Sequence, residues 1–282
     1  MKQAYFRFYA ELNDFLPPES PWQGGWAPPA QRPCSIPNGN TVNRVLPKRR
    51  GVEFSCPFDG RQSVKNLIEA LGTPHTEVDL VLINGRSASF SDFVEDGDRI
   101  SVYPVFEGLD IAPVTRVRPH PLRQTRFVAD AHLGRLGGYL RMLGFDTLYR
   151  NDFGDRQLSA ISSAERRILL TRDRGLLKRR AVTHGYCVRE SAPRLQLVEV
   201  LRRFDLAGSI SPFTRCIRCN GLLEKVDKEQ ILDAVPPKSR LHADRFQRCR
   251  ECRQVYWSGS HYRRMERFLE QVMASLRFGS GQ

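Results

Sequence analysis

Four cysteines, Cys216, Cys219, Cys249 and Cys252, stand as two Cys-x-x-Cys pairs, CIRC and CREC, with residues 220–248 between them. Each such turn aims two thiolates at one point, so the two together can close a tetrahedral zinc site with Zn–S bonds of about 2.3 Å. The interval exceeds the roughly 15–20 residues usual between such pairs, so the intervening chain must add a loop or a further element. Two disulfides are the alternative chemistry, and they need an oxidising compartment. The opening MKQAYFRFYAEL is broken by charge where a signal peptide carries an apolar core. A cytoplasmic setting with a structural zinc ion is therefore expected, and Cys34, Cys56 and Cys187, which share no such spacing, read as ordinary free thiols.

A second group of residues suits a harder metal. Asp130 follows the apolar run RFVA, Asp173 closes RILLTRD, and Asp152 and Asp155 lie in the acidic loop after FDTLYR. In open parallel sheets, ligands bind outside the carboxyl ends of the strands. Carboxylates gathered there repel one another unless a cation joins them, and hard oxygen ligands select Mg²⁺ or Mn²⁺ over zinc. A cation so held lowers the pKa of a bound water and neutralises charge on a phosphodiester under attack. Asp130 and Asp173, with Asp152 or Asp155 as the third acid, are the candidates, although a single Asp at a strand-to-helix turn equally serves as a helix cap. Arg172, Arg174 and Lys178, followed by Arg179 and Arg180, crowd the same strand end and can hold an RNA backbone. The last three also fit a solvated helix face.

These residues need a scaffold. From Arg126 the chain alternates short apolar runs with helical patterns, which argues for a parallel sheet covered by helices. RFVADA, FDTLYR, RILLTRD and GYCVRE read as strands. Leu133, Leu136, Leu140 and Leu143 recur at helical spacing before the stop at Gly144, and Leu195, Val198 and Leu201 mark a later helix. Upstream, residues 1–106 read as a small α+β domain of β-grasp type, with strands at AYFRFYAEL, VDLVLING and DRISVYPV and a helix at SVKNLIEAL. Asn84-Gly85 and Asp96-Gly97 supply turns. Residues 17–51, rich in Pro, Gly, Gln and Asn, read as a disordered insertion carrying Trp22 and Trp26. Residues 107–125 hold isolated apolar residues and prolines and are expected to link the halves.

Charge separates the halves as well. The chain has 44 Lys and Arg against 31 Asp and Glu, a formal net charge of +13. Residues 1–100 carry 11 basic and 12 acidic side chains, so the whole excess lies downstream and points to a polyanion partner. An anionic membrane would want a basic amphipathic helix with a strongly apolar opposite face. No clear example is present, so nucleic acid is the expected partner and a membrane is not. Around the second cysteine pair, Arg248, Arg250 and Arg253 interleave with Phe246, Tyr256, Trp257 and Tyr262, a pattern that can grip phosphates and stack bases. Trp257 is assigned to packing and the three arginines to RNA. Met265, Phe268, Leu269 and Val272 mark a closing helix. A Walker-type phosphate loop and a G-x-S-x-G elbow are both missing.

Through FVADAHLGRLGGYLRMLGFDTLYRNDFGD, RILLTRDRGLLKR, the two cysteine pairs and YWSGSHYRRM, residues 126–262 resemble the Mut7-C ribonuclease family, a branch of the PIN-like nucleases fused to a zinc ribbon. The stretch VDLVLINGRSASFSDFVEDGDRISVYPVFE resembles the ubiquitin-like domain that accompanies it, itself related to the sulfur carriers of thiamine and molybdopterin synthesis. The resemblance implies an α/β/α PIN-like domain over 126–212, a zinc ribbon with closing helix over 213–278, and Asp130, Asp155 and Asp173 as metal-binding catalytic acids. Sulfur carriers act through a free C-terminal Gly-Gly, whereas this strand runs on into Phe106 and Glu107. The ubiquitin-like part is therefore expected to dock a protein partner or RNA. The leading expectation is a metal-dependent ribonuclease; its rivals are a noncatalytic RNA-binding adaptor and a sulfur-transfer or tRNA-modification accessory.

Overall fold

A computed structural model describes residues 1–16, 53–104, 106, 111, 113–117, 125–237, 240 and 243–277. The expected insertion at 17–51, with Trp22 and Trp26, lies outside the described residues. The chain divides into two compact units, Met1–Pro121 and Leu122–Gln282.

The first unit is a mixed sheet of β1 (Lys2–Phe8), β2 (Glu53–Phe58), β3 (Val78–Ile83), β4 (Arg86–Ser87) and β5 (Arg99–Pro104), carrying one α-helix, α1 (Val64–Ala70), and two short 3-10 turns among the described residues. The strand order is β2-β1-β5-β3-β4, with the central pair β1 and β5 parallel. Period-two alternation sends Ala4, Phe6 and Phe8 inward, and Val64, Leu67 and Ile68 of α1 join them in the core. Ser63 caps α1 by accepting from the Asn66 amide at 3.2 Å. Asn84 and Gly85, both left-handed at φ 50° and 78°, turn β3 into β4. The sequence reading overlooked β2. Its EFSCPF is interrupted by Pro57, a residue a strand tolerates at a sheet edge, where β2 lies. Part of the expected linker is tied to this sheet: Thr115 Oγ1 donates to the Asp79 carbonyl at 2.5 Å, and Ser87 Oγ donates to the carbonyl of Val114.

The second unit is built on β6 (Phe127–Ala129), β7 (Thr147–Tyr149), β8 (Ile168–Thr171) and β9 (Gly185–Cys187), all parallel, in the order β7-β6-β8-β9. The chain leaves β6 for β7 on one side and returns to β8 on the other, so the order reverses between β6 and β8. FVA and ILLT are buried throughout, as strands covered on both faces must be. Phe127, Ala129, Ile168 and Leu170 face a core made with α2 (Gly134–Met142) and α5 (Pro193–Arg203). Helices α3 (Asp155–Ala164) and α4 (Arg174–Leu177) pack against the sheet elsewhere, α3 on β6 and β8, α4 on β8 and β9. Gly144 ends α2 at φ +95°, and a Cβ there would meet the Ser211 carbonyl oxygen at 2.3 Å.

Downstream, β10 (Leu223–Lys225), β11 (Phe246–Cys249) and β12 (Val255–Trp257) form an antiparallel sheet. The long stretch between the cysteine pairs folds into a core of its own, where Ile231, Val235 and Ala243 meet Phe246 and Val255, with Val226 and Trp257 packed against them. Helix α6 (Ser260–Arg277) then places Leu269 and Val272 in the core of the parallel sheet, and Phe268 stacks on Tyr139 of α2 with ring centroids 4.6 Å apart. The parallel-sheet and cysteine-rich segments therefore share one core. Among the described residues no helix is long and apolar enough to cross a membrane.

Polar bonds join the same two parts. Strand β7 is an edge strand, and its outward peptide groups need partners. Asn220, in the first cysteine turn, accepts from the Thr147 amide at 2.9 Å and donates to Asp146 Oδ1 at 2.8 Å. Arg141 of α2, 4% exposed, donates to the Thr147 carbonyl at 2.8 Å and to the carbonyls of Ile217 and Arg218 at 3.0 and 2.9 Å. Burial works against the charge on Asp146, but hydrogen bonds from Arg167, at 2.6 Å, and from Asn220 hold its carboxyl below the usual 3.8.

Asn220→Gly keeps the left-handed backbone and removes both side-chain bonds, leaving a buried amide without a partner. It is expected to cost about 2 kcal/mol in urea unfolding of the zinc-loaded chain and to expose the Thr147 amide to hydrogen exchange. Unchanged stability and exchange would show that apolar packing alone holds the two parts together.

Candidate active site and metal centre

The two cysteine turns are built alike. In the first, Cys216 N donates to the Gly221 carbonyl at 2.8 Å and Asn220 N to the Cys216 carbonyl at 2.9 Å. In the second, Cys249 N donates to the Gln254 carbonyl at 2.9 Å and Arg253 N to the Cys249 carbonyl at 3.1 Å. Each turn has a left-handed residue four positions after its first cysteine, Asn220 at φ 76° and Arg253 at φ 61°. All four sulfurs lie within 4.8 Å of one another, with Cys216 to Cys252 at 3.6 Å and Cys219 to Cys249 at 3.4 Å. Zn–S bonds of about 2.3 Å in a tetrahedron set sulfurs about 3.8 Å apart, so the thiolates present fit a structural zinc ion.

The Tyr256 hydroxyl lies 3.1 Å from Cys216 Sγ. Burial pushes the Cys216 thiol up, but Tyr256 and the backbone amides of Cys219 and Arg218 outweigh it and bring the thiol down to about 7. Tyr256 moves the opposite way, raised by burial and by the bond to Cys216. The hydroxyl thus favours the thiolate, the form that binds metal.

The acids lie at the carboxyl ends of the parallel strands. Asp130 follows β6 and is largely buried; its Oδ2 accepts from Thr171 Oγ1 at 2.6 Å. The same Thr171 oxygen accepts from the Asp173 amide at 3.0 Å, so one hydroxyl at the end of β8 ties the two acids together. Asp173 is exposed and caps α4, with Oδ1 accepting from the Gly175 amide at 2.7 Å. Each carboxylate retains an oxygen uninvolved in these bonds, Asp130 Oδ1 and Asp173 Oδ2. Two such oxygens suit Mg²⁺ or Mn²⁺, which take one or two carboxylates and complete an octahedron with water and substrate oxygens.

The third acid stands differently. Asp155 opens α3 and its Oδ2 accepts from Arg179 Nη2 at 3.0 Å, while Asp152 is paired with Arg150 at 2.6 Å. Among the described residues, the four cysteines are the only set of three or more Cys, His, Asp or Glu whose ligand atoms lie within 4.8 Å of one another. The structure therefore brings Asp130 and Asp173 together through Thr171, and leaves Asp155 with the arginine that neutralises it.

The basic residues divide in the same way. Arg172 is exposed between Thr171 and Asp173, Arg174 opens α4 and Lys178 follows it. On the cysteine-rich sheet, Arg248, Arg250 and Arg253 all turn to one carboxylate, Glu224, at 3.0, 3.5 and 3.9 Å. Arg248 is the least exposed of the three, so Arg250 and Arg253 present the open side of this cluster.

Three contributors escaped the sequence reading. Thr171 left a faint signal as the one polar residue at the end of an apolar strand. Arg141 and Asn220 left none, because their partners lie far along the chain.

Residues 125–269 match the family model described as the Mut7-C RNAse domain, and residues 41–110 match that of Mut7-C ubiquitin. The second match leaves out β1, the strand that pairs with β5 at the centre of the sheet. No curated protein and no solved structure matches the chain.

Tyr256→Phe keeps the ring and removes the hydroxyl beside Cys216, and it is expected to weaken zinc binding about tenfold in a chelator competition. Far-ultraviolet dichroism of the zinc-loaded variant should be unchanged. Equal affinity in the two proteins would show that the backbone amides alone set the Cys216 thiolate.

Proposed function

Because the chain belongs to the Mut7-C RNAse family, with a Mut7-C ubiquitin domain upstream, we propose that it is a Mg²⁺- or Mn²⁺-dependent ribonuclease with Asp130 and Asp173 at its catalytic centre. The second unit is read as a PIN-like domain fused to a zinc ribbon, and the first as a β-grasp. The observation that carries the reading is positional. Two acids, Asp130 held at its carboxylate and Asp173 at its backbone amide by the one Thr171 hydroxyl, stand at the carboxyl ends of β6 and β8, the adjacent strands between which the sheet order reverses. That crevice is where open parallel sheets bind their ligands.

The side chains have distinct roles. Thr171 donates to Asp130 Oδ2 and accepts from the Asp173 amide, which fixes one acid against the other and leaves Asp130 Oδ1 and Asp173 Oδ2 for ligation. A divalent cation bound there supplies water activation and neutralises charge on the scissile phosphate. Arg172 and Arg174 flank the acids and orient the RNA backbone, with Lys178 behind them. Arg250 and Arg253, on the zinc ribbon, add a second basic surface for the same strand. Asp155 is either a third acid, released from Arg179 when substrate binds, or a structural partner of α4. A cytoplasmic setting fits this reading, since four cysteines kept reduced there could hold zinc.

The adaptor reading uses the same basic surfaces without turnover. The sulfur-transfer reading draws no support from the described residues, since the chain beyond β5 is bonded back onto its own sheet through Thr115 and Val114.

Asp130→Asn and Asp173→Asn should each lower RNA cleavage in Mn²⁺ at least about a hundredfold, because several kcal/mol of charge stabilisation depend on each ligand. Zinc content and thermal unfolding should match the wild type. An equal loss in Asp155→Asn makes Asp155 a third ligand, and a loss below about tenfold leaves it as the partner of Arg179. Cleavage that survives both of the first two substitutions would replace the enzyme by the adaptor.

A further inference from the structure

Beside the acids, on the carboxyl rim of the parallel sheet, lies an open cavity of about 510 Å³ lined in part by His132, Arg135, Tyr149, Arg172, Ser191 and Gln196. It falls within the size range of small-molecule sites. His132 comes from the turn that follows Asp130 and Arg135 from the start of α2, and Arg172 immediately precedes Asp173, so the cavity adjoins the proposed catalytic acids through the chain itself.

The walls are already in place. The Tyr149 hydroxyl donates to the Ala131 carbonyl at 3.2 Å, and the ring lies so close to Gly134 that a Cβ there would meet the hydroxyl at 2.5 Å. Gln196, 4% exposed, donates to the carbonyls of Glu190 and Ser191 at 3.0 and 3.4 Å and so pins the loop that brings Ser191 to the rim.

The charges in the cavity are not cancelled by neighbouring acids, as those of several other arginines of this unit are. Arg150, Arg167, Arg179 and Arg248 each lie within 3.0 Å of a carboxylate oxygen. Arg135 and Arg172 are exposed and have no ion pair or hydrogen bond among the described residues, and neither has His132. Two unpaired guanidiniums in one concavity, with an imidazole and a hydroxyl beside them, complement an anion of charge near −2. A phosphate monoester carries about −1.5 to −2 at pH 7, against −1 for the diester of an internal linkage.

We propose that this cavity seats a terminal phosphate monoester of RNA, so that the enzyme engages its substrate at a phosphorylated end and cuts beside it. The proposal rests on the ribonuclease reading for the cut, but not for the binding. Whether the phosphate is at the 5′ or the 3′ end is decided by the arms of the test.

The test uses the full-length, zinc-loaded protein without Mg²⁺ or Mn²⁺, so that no turnover occurs, at one fixed salt concentration. Three oligoribonucleotides of one sequence are compared, bearing a 5′-phosphate, a 3′-phosphate or neither. One phosphorylated form should bind about tenfold tighter than the unphosphorylated strand, as two charge-assisted contacts would give. Arg135→Gln and Arg172→Gln should each bring that ratio close to one. Arg267→Gln removes an equal charge from an exposed position on α6 and should weaken all three strands alike, preserving the ratio. Equal affinity for the three strands, or a ratio that survives both cavity substitutions, overturns the proposal. An end preference that depends on Arg135 and Arg172, in a protein that does not cut RNA in Mn²⁺, upholds the phosphate site and overturns the ribonuclease reading instead.

Discussion

The second unit depends on how the exposed edge of β7 is satisfied. A parallel sheet of four short strands has two edges, and an unpaired edge invites pairing with another chain. Here the edge is closed by the first cysteine turn, not by another strand. Asn220 takes the Thr147 amide, while Arg141 takes the Thr147 carbonyl and reaches on to the carbonyls of Ile217 and Arg218. Burial disfavours the charge on Arg141, so the guanidinium is held there by the carbonyls around it and by nearby anionic groups, the Cys219 and Cys216 thiolates among them. The first cysteine turn thereby serves as the flank of the proposed catalytic sheet, and a zinc ion held by its thiolates would also organise the partners of β7.

Charge is handled differently on the proposed functional rim and in two clusters elsewhere in the unit. Asp146 gathers Arg167, Arg215 and Asn220, and Glu224 gathers Arg248, Arg250 and Arg253. Around Asp130 and Asp173 the pattern changes. These carboxylates are held by a hydroxyl and by backbone amides, which leave their charge in place, and Arg135 and Arg172 line the open cavity beside them. A rim with uncancelled charges of both signs can take a cation and a phosphate together.

What could be read from the sequence was what is local. The Cys-x-x-Cys turns carry their geometry in four residues, and the continuous apolar runs FVA and ILLT announce buried parallel strands that place Asp130 and Asp173 at their ends. The helix of Leu133, Leu136, Leu140 and Leu143 was equally plain. What escaped was settled at a distance. Strand β2 looks unlike a strand until it is seen at the edge, where Pro57 does no harm. The direction of the Asp155 carboxylate depends on Arg179 in another helix, so position on the rim did not establish convergence. Arg141 carries no signal of burial in its own stretch of sequence, and the carbonyls of Thr147, Ile217 and Arg218 hold it inside.

Helix α6 has a consequence for the order of synthesis. Its Leu269 and Val272 complete a core whose first strand begins at Phe127. At the usual pace of translation, on the order of ten seconds separate these residues. Throughout that interval the apolar flank shared by α2 and α5 lacks its cover, and the cysteine turns that lead into α6 have still to gather the four thiolates that fit a zinc ion. For a site that holds zinc, supply of the ion thus becomes a matter of timing for the nascent chain. A cell short of the ion would hold a half-covered sheet open to chaperones and proteases before the fold is ever finished.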